Sequence, residues 1–268
     1  SIRERSGLDS RPARSSKRPA ALKKSRLSDG VPIVLLTDDP PRHTAIRALV
    51  NRSFAAKALA TLGPWLESVV ERLLDATNPA AVDVIAVLAE PLPVMTVARM
   101  LGVDPGDWMT FKRWSSAAAG LLDTGSGEHL RDMLSFLAYF GAAIGARRTC
   151  PRDDLISGLI ERSDAAQVLN DAQLRSLCVL LLMAGSETTT NLIGNTFAIL
   201  AERPELWRTL REGRVPMAAV IEEALRFESP IQIVSRVATA DVEVNGLRIR
   251  CGDVVAACLG AANRDPDA

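Results

Sequence analysis

Histidine, cysteine and aromatic residues are scarce in this 268-residue chain, and each scarcity removes a class of function. Two histidines, His43 and His129, cannot build a histidine-rich metal centre, so no metal-ligating set is expected. Four cysteines, at 150, 178, 251 and 258, show no close paired spacing, which fits a reduced, cytoplasmic compartment. Aromatic residues make up 4% of the chain, leaving Leu, Val and Ala to build the core. Neither a secretory signal nor an uninterrupted apolar run of about 18 residues is found, so no membrane span is expected.

What is present is the composition of a soluble globular chain, 47% apolar and 24% charged. The net charge of zero hides an asymmetry: residues 1–30 carry nine Lys/Arg against three acids, and the rest of the chain balances them with an equal negative excess. The basic segment could touch nucleic acid, but no aromatic residue interleaves with its charges. A loop or disordered segment is the expectation for 1–30, with no nucleic-acid or membrane partner. Residues 31–268 contain no repeat and no linker and read as one domain.

Proline and capping residues punctuate a mainly α pattern with a small β appendage. Thr37-Asp38-Asp39-Pro40-Pro41 predicts a helix through His43 to about Ser53. Leu59, Leu62, Leu66, Val69, Val70 and Leu73 recur at helical spacing over 58–76, which Asn78-Pro79 ends. Pro91 and Pro93 mark a helix running to Leu101, with Gly102 as its cap. Asp104-Pro105 opens another, to about Ala119, and 124–127 is a loop. Residues 128–148 read as a helix with Leu130, Met133, Leu134, Leu137 and Ala138 on one face, and 155–162 as a short helix. Asn170-Asp171-Ala172-Gln173 resembles a capping box and opens about 33 residues without proline, or ~50 Å of helix crossing the core. Short helices follow Pro204 and Pro216, the second reaching about Phe227. Alternation around Asn245-Gly246 then predicts a hairpin over 242–249, with a further strand over 254–259.

Four constellations carry chemistry. Glu187-Thr188 follows an apolar run and the small pair Ala184-Gly185, which implies a buried carboxylate and hydroxyl flanking a gap that a flat group can enter. Glu223 and Arg226 share a helix face at a spacing of three. His43 and Arg47, four apart, would suit an anionic group, and Arg236 follows the apolar extended segment 229–235, either facing solvent or gripping an anion.

Taken in order, Thr-Asp-Asp-Pro-Pro-Arg-His-Thr-Ala-Ile-Arg, Ala-Gly-Ser-Glu-Thr-Thr, Glu-Ala-Leu-Arg, Ser-Arg-Val-Ala and Ala-Asn-Arg-Asp-Pro resemble the bacterial cytochrome P-450 family of haem-thiolate monooxygenases, over residues 32–268. The resemblance implies a P-450-like fold, incomplete at both ends, with haem b as cofactor. It implies that Ala184-Gly185 lies over the haem and that Glu187 and Thr188 deliver protons. It gives His43, Arg47 and Arg236 the haem propionates, Glu223 and Arg226 a structural ion pair, and Leu181, Ile231, Ile233 and Val234 substrate contacts. Dioxygen, a small apolar organic substrate and a ferredoxin-type electron donor are the implied partners. The family's Gly-rich loop with the ligating cysteine is not found around any of the four cysteines, so the expectation is a truncated, inactive monooxygenase. The alternative is a non-catalytic helical module that binds an apolar ligand or a partner protein.

Overall fold

The computed structural model describes residues 34–36, 38–54, 62–78, 80–124 and 129–267. The basic segment 1–30, residues 58–61 and most of the 124–127 loop lie outside the described residues. In chain order the helices are α1 (Arg42–Ser53), α2 (Gly63–Asp75), a π-helical turn (Ile85–Ala89), α3 (Pro91–Leu101), a 3₁₀ turn (Pro105–Asp107), α4 (Trp108–Thr124), α5 (Leu130–Thr149), α6 (Leu155–Ala166), α7 (Asp171–Glu202), α8 (Pro204–Arg211) and α9 (Met217–Phe227). Strands β1 (Ile233–Val237), β2 (Val242–Val244), β3 (Leu247–Ile249) and β4 (Val254–Cys258) follow, then the single turn α10 (Leu259–Ala262).

Local chemistry sets most boundaries. Asn170 and Gln173 form a reciprocal capping box that satisfies two orphan amides at the start of α7. Pro204 ends that helix after 32 residues by restricting Arg203 to extended backbone. Asp154 caps α6 through the Ser157 amide. Gly102 closes α3 with φ +81°, a left-handed conformation that suits glycine. Asn245 and Gly246, both with positive φ, make the tight turn between β2 and β3. β4 does not extend that hairpin. It returns to β1 as an antiparallel partner, Ile233 opposite Cys258 and Val237 opposite Val254, giving two separate two-stranded sheets.

The core gathers where α3, α4, α5 and α6 meet the N-terminal half of α7. Leu174, Leu177, Cys178, Val179 and Leu182 of α7 are buried there with Phe111, Phe136, Phe140 and Ile144. By length and composition α7 could cross a membrane, which the lack of a continuous apolar run did not suggest; here its first half is packed among the other helices. The buried face of α5 also differs from expectation. Leu130, Leu134 and Ala138 are exposed, whereas Phe136, Phe140 and Ile144 are buried. The aromatic cluster decides this: Phe111 meets Tyr139 edge-on at 5.2 Å, and Phe136 lies 5.5 Å from both Trp114 and Phe140.

One ion pair is enclosed in this core. Arg147 Nε donates to Asp154 Oδ2 at 2.9 Å, with side-chain exposures of 8% and 5%. A second guanidinium nitrogen donates to the Gly102 carbonyl. A Cβ on residue 102 would lie 2.2 Å from Asp154 Oδ2. Arg147→Met, which strands the Asp154 charge, is expected to cost about 3–5 kcal/mol. Arg148→Met, which breaks the exposed pairs to Asp164 and Asp171, is expected to cost below about 1 kcal/mol per pair. Urea unfolding at constant slope checks this, and equal losses from the two variants would contradict it.

Candidate functional site

On α7 the buried side runs through Leu174, Cys178, Leu182 and Ser186, and at 100° per residue this leaves Ala184 and Glu187 on the opposite face. Both are exposed, Leu181 and Thr188 are half-buried at the flanks, and Glu187 makes no ion pair among the described residues. The expected burial of Glu187 is therefore corrected: the apolar run before it is buried on one side only. The gap expected at Ala184-Gly185 also divides. Gly185 serves the approach of α3, since a Cβ there would lie 2.9 Å from Val97 Cγ2. Ala184 alone opens outward.

The three threonines after Glu187 have different partners. Thr188 Oγ1 donates to the Ala184 carbonyl at 2.8 Å, and Thr189 Oγ1 to Gly185 at the same distance. Thr190 Oγ1 leaves the helix and donates to Ala89 O at 2.8 Å. With its proton committed, the Thr188 hydroxyl keeps its lone pairs as acceptors.

Glu223 and Arg226 of α9 form a two-pronged pair, Nε to Oε2 at 2.8 Å and a terminal nitrogen to Oε1 at 2.6 Å. The guanidinium holds the Glu223 carboxyl below its ordinary range. The remaining nitrogen of Arg226 donates to Asn263 O. Next to it, Arg264 Nε donates to Phe227 O at 2.7 Å, pairs with Glu228 and sits over the Phe227 ring, 4.4 Å from its centroid. Arg203 lies 5.2 Å from the same ring. Asn195 Nδ2 donates to Glu228 O at 2.8 Å, tying α7 to the end of α9. Arg264 and Asn195 were missed as contributors. The Asn-Arg-Asp-Pro motif was a signal for the first; Asn195 has none, because its partner is a backbone carbonyl 33 residues away.

His43 is half-buried and Arg47 exposed on α1, which packs against α6. Arg236 is exposed on β1, its Nη1 donating only to the Ser235 carbonyl at 2.8 Å. Among the described residues no hydrogen bond or ion pair joins these three, and none has a carboxylate partner. Ile231 and Ile233 are exposed and Val234 is half-buried. By chemistry, two guanidiniums without a carboxylate partner among the described residues and a half-buried imidazole are donors suited to an anionic group.

The cysteines do not complete that set. Cys150 ends α5, and Cys251 Sγ donates to Thr239 O at 3.3 Å. Cys258 is exposed on β4. Cys178 is buried, and burial together with the Asp154 charge pushes its thiol up to about 12, so it stays protonated. Among the described residues no three His, Cys, Asp or Glu side chains gather as a metal site. A thiol reagent is expected to modify Cys150, Cys251 and Cys258 in the native protein and Cys178 only after denaturation. Native labelling of Cys178 would overturn its placement.

Comparison with known proteins places these residues in context. Residues 142–213 and 216–268 match the family model described as Cytochrome P450. The chain is 38% identical over 242 residues to Cytochrome P450 109 of Bacillus spizizenii, covering 87% of this chain and 60% of that one. It is 37% identical over 238 residues to the erythromycin C-12 hydroxylase of Saccharopolyspora erythraea, covering 86% and 59%. The crystal structure of P450BioI in complex with an acyl carrier protein ligated to hexadec-9Z-enoic acid superposes with a TM-score of 0.82 at 32% identity, over 96% of this chain and 66% of that one. The chain thus spans about 60% of the length of the curated relatives it matches.

Proposed function

The chain belongs to the cytochrome P450 family, in its bacterial form, and from this we propose that it provides the central helix and the acid-binding residues of a haem-dependent monooxygenase. The reaction is insertion of one oxygen atom from dioxygen into a small apolar organic substrate, with electrons from a ferredoxin-type donor in the cytoplasm. The observation that carries this reading is the open face of α7, where Ala184 and Glu187 lie opposite the buried side with Thr188 half-buried at its flank.

Haem, when bound, supplies the oxygen-activating chemistry. His43, Arg47 and Arg236 would hold its acid groups through charge-assisted hydrogen bonds. Ala184, having only a methyl group, leaves room for a flat ring beside the helix. Glu187 stands in solvent, where its carboxylate exchanges protons with water. Thr188 keeps its hydroxyl turned by the bond to Ala184 O, so its lone pairs accept a hydrogen bond from a water on the open face. Water between the two side chains passes protons inward from Glu187 to Thr188. Leu181, Ile231, Ile233 and Val234 offer apolar surface to the substrate. Glu223 and Arg226 act structurally, joining α9 to the Asn263 carbonyl.

In a haem-loaded version that also carries the family's ligating-cysteine loop, Thr188→Ala is expected to lower product formed per dioxygen consumed by about tenfold or more, with substrate affinity kept within about twofold. Peroxide release accompanies the loss. Unchanged coupling in that variant would remove Thr188 from proton delivery. Arg47→Leu and Arg236→Leu are expected to weaken haem retention about tenfold each, measured by transfer to apomyoglobin.

A further inference from the structure

The hydroxyl of Thr190 does something its neighbours do not. Threonine inside a helix ordinarily bonds back to the carbonyl four residues earlier. Thr188, Thr189 and Thr196 all do so, to Ala184, Gly185 and Leu192. Thr190 instead reaches across 101 residues of sequence to Ala89 O, at 2.8 Å.

The reason lies in the sequence at the start of α3. In a regular helix the Ala89 carbonyl would accept from the amide of residue 93, but residue 93 is proline and has no N–H. The preceding turn has already widened, with the Glu90 amide bonding to Ile85 O in the π pattern. Ala89 is fully buried, so water cannot reach its backbone readily, and an unpaired carbonyl there is costly. Thr190 meets that need. Five residues earlier on α7, Gly185 lies against Val97 of α3, and four residues later Gly194 lies against Ile85, where a Cβ would come within 2.8 Å. The two glycine contacts are close packing without direction, and the one directional bond among these three contacts is that of Thr190.

We infer that Thr190 is a positioning residue: its bond to the carbonyl orphaned by Pro93 sets the rotation of α7 that presents Ala184, Glu187 and Thr188 on the open face. The functional part of this inference rests on the proton-delivery reading above; the bond and its cause do not.

Amide hydrogen exchange followed by mass spectrometry over segments 85–94 and 184–192 tests it without any cofactor. Thr190→Val, which keeps shape and removes the donor, is expected to speed exchange in both segments about tenfold. Thr190→Ser is expected to stay within about twofold of the parent. Pro93→Ala supplies the missing amide, so in that background Thr190→Val should change exchange by less than about twofold. If Thr190→Val does not fold, Thr190→Ser and the Pro93→Ala, Thr190→Val double variant, each matching its parent, carry the same comparison. The inference is overturned if Thr190→Val leaves 85–94 as protected as before, if Thr190→Ser exchanges like Thr190→Val, or if the Pro93→Ala background makes no difference. In a haem-loaded version that also carries the family's ligating-cysteine loop, Thr190→Val is expected to lower product per dioxygen about fivefold and Thr190→Ser to restore it. Coupling that is unchanged by Thr190→Val but lost in Thr188→Ala overturns the positioning role. Coupling unchanged by both variants counts against the proton-delivery reading, and the exchange comparison then decides the bond alone.

Discussion

The enclosed pair of Arg147 and Asp154 is the constraint on which the helical packing depends. Two charges removed from water are unfavourable unless every polar atom finds a partner. Here Asp154 accepts from Arg147 and from the Ser157 amide, while Arg147 also donates to Gly102 O. Those three contacts tie the last turn of α5, the first turn of α6 and the end of α3 to one point. With that point set, Leu155, Ile156 and Leu159 reach the core, and Phe140 and Ile144 meet Leu177 and Cys178 of α7. Gly102 is needed twice, for its left-handed backbone and for the space that Asp154 occupies.

Much of the architecture was legible because helix ends are written locally. Asn170 with Gln173, Gly102, Pro204 and the Asn245-Gly246 turn each act within a few residues, and each marks a boundary in the structure. Faces were harder to read. In α5 the residues Leu130, Leu134 and Ala138 form a plausible apolar stripe, but the phenylalanines at 136 and 140 bury more area per side chain and turn the helix toward Phe111 and Trp114. The π-helical turn at Ile85–Ala89 carries no local signature beyond the two prolines that follow it.

The candidate site divides in the same way. The residue types and their order pointed to Glu187, Thr188, Glu223 and Arg226, and the last two meet as a bonded pair. What the order could not supply was direction. Glu187 is exposed because the burial that surrounds α7 over 174–179 narrows to Leu182 and Ser186 further along, and Gly185 faces a neighbouring helix although it adjoins the open alanine. Bonds from a side chain to a distant carbonyl, such as Asn195 to Glu228 and Arg226 to Asn263, leave no periodicity behind.

The length of α7 has a mechanical meaning. Its 32 residues at 1.5 Å each make a strut of ~48 Å whose own hydrogen bonds resist stretching. One end is held by the core packing of Leu174, Leu177 and Cys178, and near the other Asn195 grips the end of α9. A rod held in this way transmits displacement instead of absorbing it. Its bonds from Asn195 to Glu228 O and from Thr190 to Ala89 O join the end of α9 and the turn before α3 to this one element. The two ends of the molecule therefore keep a common register through a single continuous element.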